Sequence, residues 1–176
     1  MKKWIVVLLT LLLTLTLTGA ALAGTEDQMK DMVQTYLDEN GQDYVYDDYV
    51  FTLKLAIGSA LEYADVRIFI YDDMLSVIAD APVQVSKENF EKMAVFTTLA
   101  NNEIFYGQFR VDREYGYVSC RSCNLVEDVI PGENELFYLV GMPLEYLETY
   151  GDGIVAVCEG GDPYEAFNAC LAATDE

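Results

Sequence analysis

The chain has 176 residues, of which 30 are Asp or Glu, 10 are Lys or Arg and none is His, giving a formal charge of −20. Without histidine it can run neither Ser-His-Asp nor Cys-His catalysis, and it cannot build the His-rich zinc sites of common metallohydrolases. At 52 % apolar residues it is too hydrophobic for disorder, which needs low apolar content as well as high charge.

Residues 1–23 read as an export signal: Lys2 and Lys3, an apolar run from Trp4 to Leu17, and Ala21-Leu22-Ala23 as a small-x-small cleavage site. Cleavage leaves residues 24–176 as a single secreted or envelope domain of 153 residues, whose charge becomes −22 once Lys2 and Lys3 are gone. An uncleaved anchor is the alternative, but the apolar run falls short of the ~20 residues that span a bilayer. A chain of ~150 residues buries about two-thirds of its unfolded surface, enough for a core without metal or disulfide. The charge opposes binding to nucleic acid or anionic lipid, and no basic cluster stands in the linear sequence.

In chain order, Thr25 to Gln28 has capping-box form, and Met29, Met32, Val33 and Leu37 recur at helical spacing up to Gly41. Phe51, Leu53, Leu55 and Ile57 alternate as one face of a first strand. Val66, Ile68 and Ile70 form the inner face of a second, with Arg67, Phe69 and Tyr71 outward. Asp72-Asp73 is a tight turn into a third strand carrying Leu75, Val77 and Ala79, which Pro82 should end. Ser86 is positioned to cap a second helix bearing Phe90, Met93, Ala94 and Thr97, closed by Asn101-Asn102. Two further strands are expected over about 103–111 and 117–123, with Phe109, Val111, Val118 and Cys120 inward by parity. A long helix then spans about 134–159, weakened at Pro143, Gly151 and Gly153. Asp162, Pro163 and Glu165 start a last short one. The expected fold is α+β, an antiparallel five-stranded sheet in the order α-β-β-β-α-β-β-α-α.

That order resembles the YbjN-type bacterial family, as do the segment from Asn101-Asn102 through Gly107 to Phe109, the strand from Gly116 to Arg121, and the closing Gly161, Pro163, Glu165 and Ala166. The resemblance covers roughly residues 43–172. It implies the fold of type III secretion chaperones and a role among proposed sensory transduction regulators, with no catalytic residues and no cofactor. An export signal and heavy acidity set this chain apart from the cytoplasmic chaperones that name the fold.

Cys120-Arg121-Ser122-Cys123 has the spacing of a redox or zinc motif but lies at a strand end, lacking the helix N-terminus that activates a thioredoxin-like thiol. Residues three apart on a strand face opposite ways about 10 Å apart, beyond disulfide reach. Cys158 and Cys170 are similarly separated by a glycine break and a helix. Disulfides, if formed, should therefore tie Cys120 and Cys123 to Cys158 and Cys170; the alternative is buried reduced thiols, with a four-thiolate zinc site and a redox pair behind. The acids of 38–43 and 47–48 match no EF-hand register and read as caps and turns.

Tyrosines and phenylalanines crowd the strands, and half of them cannot share a core with Phe51 and Val66. Tyr44, Tyr46, Phe69, Tyr71, Tyr106 and Tyr117 are the candidate partner-binding face. Two functions follow as expectations. The first is an exported, non-enzymatic module that binds a protein or peptide or pairs with itself; the second is a cation- or small-ligand-binding envelope protein, which needs a concave pocket with converging carboxylates. Neither involves nucleic acid, or a membrane beyond the signal.

Overall fold

Six antiparallel strands form the sheet in this computed structural model, which describes residues 25–126 and 131–174. The export signal lies outside the described residues. The elements are α1 (Thr25–Glu39), β1 (Tyr44–Asp47), β2 (Val50–Ala56), β3 (Tyr63–Tyr71), β4 (Met74–Gln84), α2 (Phe90–Glu103), β5 (Gln108–Val111), β6 (Tyr117–Leu125), α3 (Glu133–Cys158) and α4 (Pro163–Thr174). The sheet order is β1-β2-β3-β4-β6-β5. The first four strands form a meander, and β5–β6 is a hairpin whose second strand joins β4.

The sixth strand is β1, which corrects the expectation of five. Its four residues are bracketed by acids that read as turn, and it closes onto β2 through Asp48-Tyr49, both at positive φ (45° and 66°) without a glycine to announce the turn. Two positive-φ residues in a two-residue loop match the right-handed twist of a hairpin. At the other hairpin, β3 reverses into β4 over Asp72-Asp73, as the paired acids predict.

Pro82 does not end β4, which continues to Gln84. Pairing with β6 shifts register between Asp80 and Gln84, so the proline sits where the ladder is already broken and its missing N–H costs no strand bond. The strand expected over 103–111 shrinks to Gln108–Val111. Gly107 turns the chain at φ 103°, and a Cβ there would lie 2.9 Å from the Arg121 carbonyl oxygen. Ser86 does not cap α2. Its hydroxyl accepts from the Asn89 N–H (3.3 Å) one turn earlier, and the helix begins at Phe90. The start of α4 follows expectation: Asp162 accepts from the Tyr164 and Glu165 N–H groups (2.9 and 3.1 Å), with Pro163 in the first helical position.

Strand alternation aligns Phe51, Ile68 and Val77 in one buried row and Leu53, Val66, Ala79 and Cys120 in the next. Helix α3 lies along β4 and β6 over these rows, α1 packs beside it on β3, and α2 and α4 close the β5 end. The glycines that should weaken α3 instead admit neighbours. A Cβ on Gly153 would meet the Phe96 ring at 2.6 Å and the Cys170 Sγ at 2.8 Å; one on Gly151 would collide with Ser59. Helix α3 thus runs unbroken through Pro143, which is buried within it, because packing against β4, β6 and the other helices outweighs weak propensity.

Candidate functional site

Among the described residues no helix packs on the second face of the sheet. Register sets its side chains in rows across β3, β4 and β6: Tyr71, Met74 and Leu125; Phe69, Ser76 and Cys123; Arg67, Ile78 and Arg121; Asp65, Asp80 and Ser119. Tyr117 follows at the far end of β6, opposite Gln84. Phe69 and Tyr71 stack nearly parallel at 6.2 Å, and the Arg67 guanidinium sits 5.7 Å from the Phe69 ring. Tyr71 and Tyr117 are 45 % and 52 % exposed. The face is therefore a mixed aromatic and charged surface of two-residue periodicity, which water reaches from one side.

The six aromatic residues singled out from sequence divide between places. Phe69, Tyr71 and Tyr117 share the open face. Tyr44 and Tyr46 lie on the helix side, packed on Phe51 with ring centroids at 5.3 and 4.5 Å. Tyr44 donates its hydroxyl to Asp38 (3.0 Å), and Lys30 sits 4.7 Å over the Tyr46 ring. Burial pushes both phenols above their ordinary range, with Asp38 adding to the effect at Tyr44 and Glu26 at Tyr46. Tyr106 stands apart again, in the bend before β5.

There Tyr106 lines a cavity of about 620 Å³ with Gly107, Ser122, Cys123, Asn124, Glu135, Tyr138 and Leu139. Phe105 and Tyr138 leave much of their rings in solvent beside it. The volume suits a small molecule. Its lining holds one carboxylate, Glu135, so it lacks the converging acids that a cation site requires. Among the described residues no three His, Cys, Asp or Glu side chains gather as a metal site.

The free edge of β5 is closed by a device the sequence hid. The Asn101 side-chain amide donates to the Phe109 carbonyl (3.0 Å) and accepts from the Phe109 N–H (2.7 Å), occupying both backbone groups that Phe109 turns to the free edge. Asn101-Asn102, expected to close α2, lie inside it, since the helix continues to Glu103, and Asn101 caps the sheet edge at Phe109. The signal was the eight-residue spacing of Asn101 and Phe109, meaningful only once the chain is known to fold back.

All four cysteines are free thiols, so neither expected cross-bridge is formed. Cys120 and Cys123 do face opposite ways, Cys120 into the core and Cys123 to solvent, as strand parity requires. Burial pushes the Cys120 thiol up to about 12, which keeps it protonated and non-nucleophilic at neutral pH. Burial raises Cys158 and Cys170 as well.

No family model matches the chain, and no curated protein matches it. Among solved structures it is similar to YbjN from E. coli, a proposed transcription regulator, with a TM-score of 0.53 at 14 % identity. The match covers 73 % of this chain and 88 % of that one. At this identity the likeness establishes the architecture alone: the chain has a YbjN-like α+β fold.

Proposed function

We propose that this chain is an exported, non-enzymatic module that binds a protein or peptide through the helix-free face of its sheet. The observation that carries the reading is the one-sided packing of the helices, which leaves Phe69, Tyr71 and Tyr117 on an open face. Two facts narrow the mode of binding. Asn101 occupies the β5 edge, so face contact is favoured over strand addition there. The net charge of −20 opposes approach to nucleic-acid phosphate. The buried Cys120 thiol and the single carboxylate of the Tyr106 cavity favour a binding role over catalysis.

Export is tested by the intact mass of the protein recovered from the envelope or culture fluid, expected to begin at Gly24; recovery of the full chain from cytoplasm would refute it. Partner binding is tested by affinity capture with the mature domain, followed by mass spectrometry. The combined Phe69→Ala, Tyr71→Ala and Tyr117→Ala variant should lose at least ten-fold of the captured partner, while Tyr164→Ala, on α4, should keep it. The reverse pattern would refute the face.

A further inference from the structure

The chain's four arginines, Arg67, Arg110, Arg113 and Arg121, are scattered along the sequence, yet all four line one concavity of about 380 Å³ on the helix-free face. No linear basic cluster predicts this. The fold assembles it, from β3, β5, the β5–β6 turn and β6. Asp80 and Asp112 share the basin, so its formal excess is two positive charges on a chain whose total is −20.

The basin is organised. Arg67 donates through Nε (3.1 Å) and Nη2 (2.7 Å) to a single Asp80 oxygen. Arg121 donates through Nε to the hydroxyl of buried Ser76 (3.1 Å). Asp112 accepts from the Glu114 and Tyr115 N–H groups (2.9 and 2.7 Å), fixing the turn that carries Arg113. Among the described residues Arg110, Arg113 and Arg121 form no ion pair, so the forks of Arg110 and Arg113 and the Nη groups of Arg121 are available to a carboxylate.

Aromatic pairs flank the basin along the strand axis. Phe69 and Tyr71 lie on one side; Tyr115 and Tyr117, stacked at 6.2 Å, lie on the other. From the Cys123 row, level with Phe69, to Tyr117 is six residues of β6, about 20 Å by strand rise. That is the length of an extended segment of about six residues, and far more than a small anion spans.

Resting on the reading of the open face as the binding surface, we propose that the basin seats an acidic segment of a protein partner. Its central carboxylates pair with Arg110, Arg113 and Arg121, and its flanking apolar side chains lie on the two aromatic pairs. A second copy of this chain docked face to face is disfavoured, because a two-fold contact would set these arginines against themselves.

The test titrates the mature domain by calorimetry and amide NMR with a six-residue peptide of four central glutamates between two phenylalanines. Controls are its lysine counterpart, inorganic phosphate and citrate. Binding of the acidic peptide alone, weakened at least ten-fold by combined Arg110→Gln and Arg113→Gln and by added salt, is the expected result. Both arginines are exposed, so these variants should keep the wild-type fold, checked by circular dichroism. No peptide binding would overturn the proposal. Equal affinity for phosphate or citrate would overturn it in favour of a small-anion site, and arginine-dependent dimerisation in sedimentation would overturn it in favour of a second copy. If the captured partner depends on Phe69, Tyr71 and Tyr117 but tolerates the arginine variants, the basin proposal fails while the open-face reading stands.

Discussion

Asn101→Ala removes both hydrogen bonds that close the β5 edge, without touching the buried rows of the sheet. The bonds measure 2.7 and 3.0 Å and join neutral groups, each worth about 1 kcal/mol net, so the expected loss is about 2 kcal/mol. Asn101 is only half-buried, so water will re-solvate part of what truncation exposes and the loss should not reach the several kcal/mol of a sealed site. At a urea slope of about 2 kcal/mol per M, this moves the unfolding midpoint down by about 1 M. Asn101→Asp should be no better: it can still accept from the Phe109 N–H but cannot donate to the Phe109 carbonyl, and it sets a negative charge against that oxygen. Urea denaturation followed by circular dichroism measures the shift. Size-exclusion chromatography measures the second consequence, since an uncapped edge strand pairs with other chains. An Asn101→Ala protein within about 0.3 kcal/mol of wild type and still eluting like it would refute the capping role.

Other expectations rest on the same geometry. At Gly116 (φ 74°) a Cβ would collide with the Val85 carbonyl oxygen, so Gly116→Ala should cost about 2 kcal/mol or more in thermal or urea unfolding; an unchanged midpoint would contradict it. In the native protein Cys123 should react with a thiol reagent within minutes, while Cys120 stays unmodified until denaturant is added, as read by intact mass. Burial in the folded protein pushes the Cys120 thiol from its ordinary 9.0 up to about 12. Its stability contribution is thus fully present below 9.0 and is lost as pH climbs from there toward about 12, by up to ~1.4 kcal/mol per unit. Cys120→Ala should flatten the decline between pH 9 and 11 relative to wild type, and equal slopes would exclude this thiol as its source.

Much of this architecture was legible from two periodicities. The strict alternation of Phe51–Ile57 and Val66–Ile70, and the helical spacing from Met29 to Leu37, identify elements whose buried faces leave little freedom of assignment. Strand β1 escaped because its turn takes positive φ at Asp48 and Tyr49, residues that carry no glycine signature. Pro82 misled because the bulge that tolerates it is a property of the β4–β6 register, which local sequence does not encode. The candidate site was half legible. Alternation alone puts Phe69 and Tyr71 opposite Val66 and Ile68, but whether helices cover that side depends on how α1 to α4 distribute. Tyr44 and Tyr46 share aromatic character with Phe69 and opposite parity, since they pair in register with Leu53 and Phe51 of the buried rows. The arginines were invisible as a group because three strands and a turn contribute one each, and only the sheet order makes them neighbours.

The central claim, that the helix-free face is the binding surface, is tested most directly by hydroxyl-radical footprinting of the mature domain with and without its captured partner, read by mass spectrometry. Phe69, Tyr71 and Tyr117 should lose most of their oxidation in the complex, while Tyr138 and Tyr164 keep theirs. Protection of Tyr138 or Tyr164 with Phe69, Tyr71 and Tyr117 unchanged would place the partner on the helical side and contradict the account.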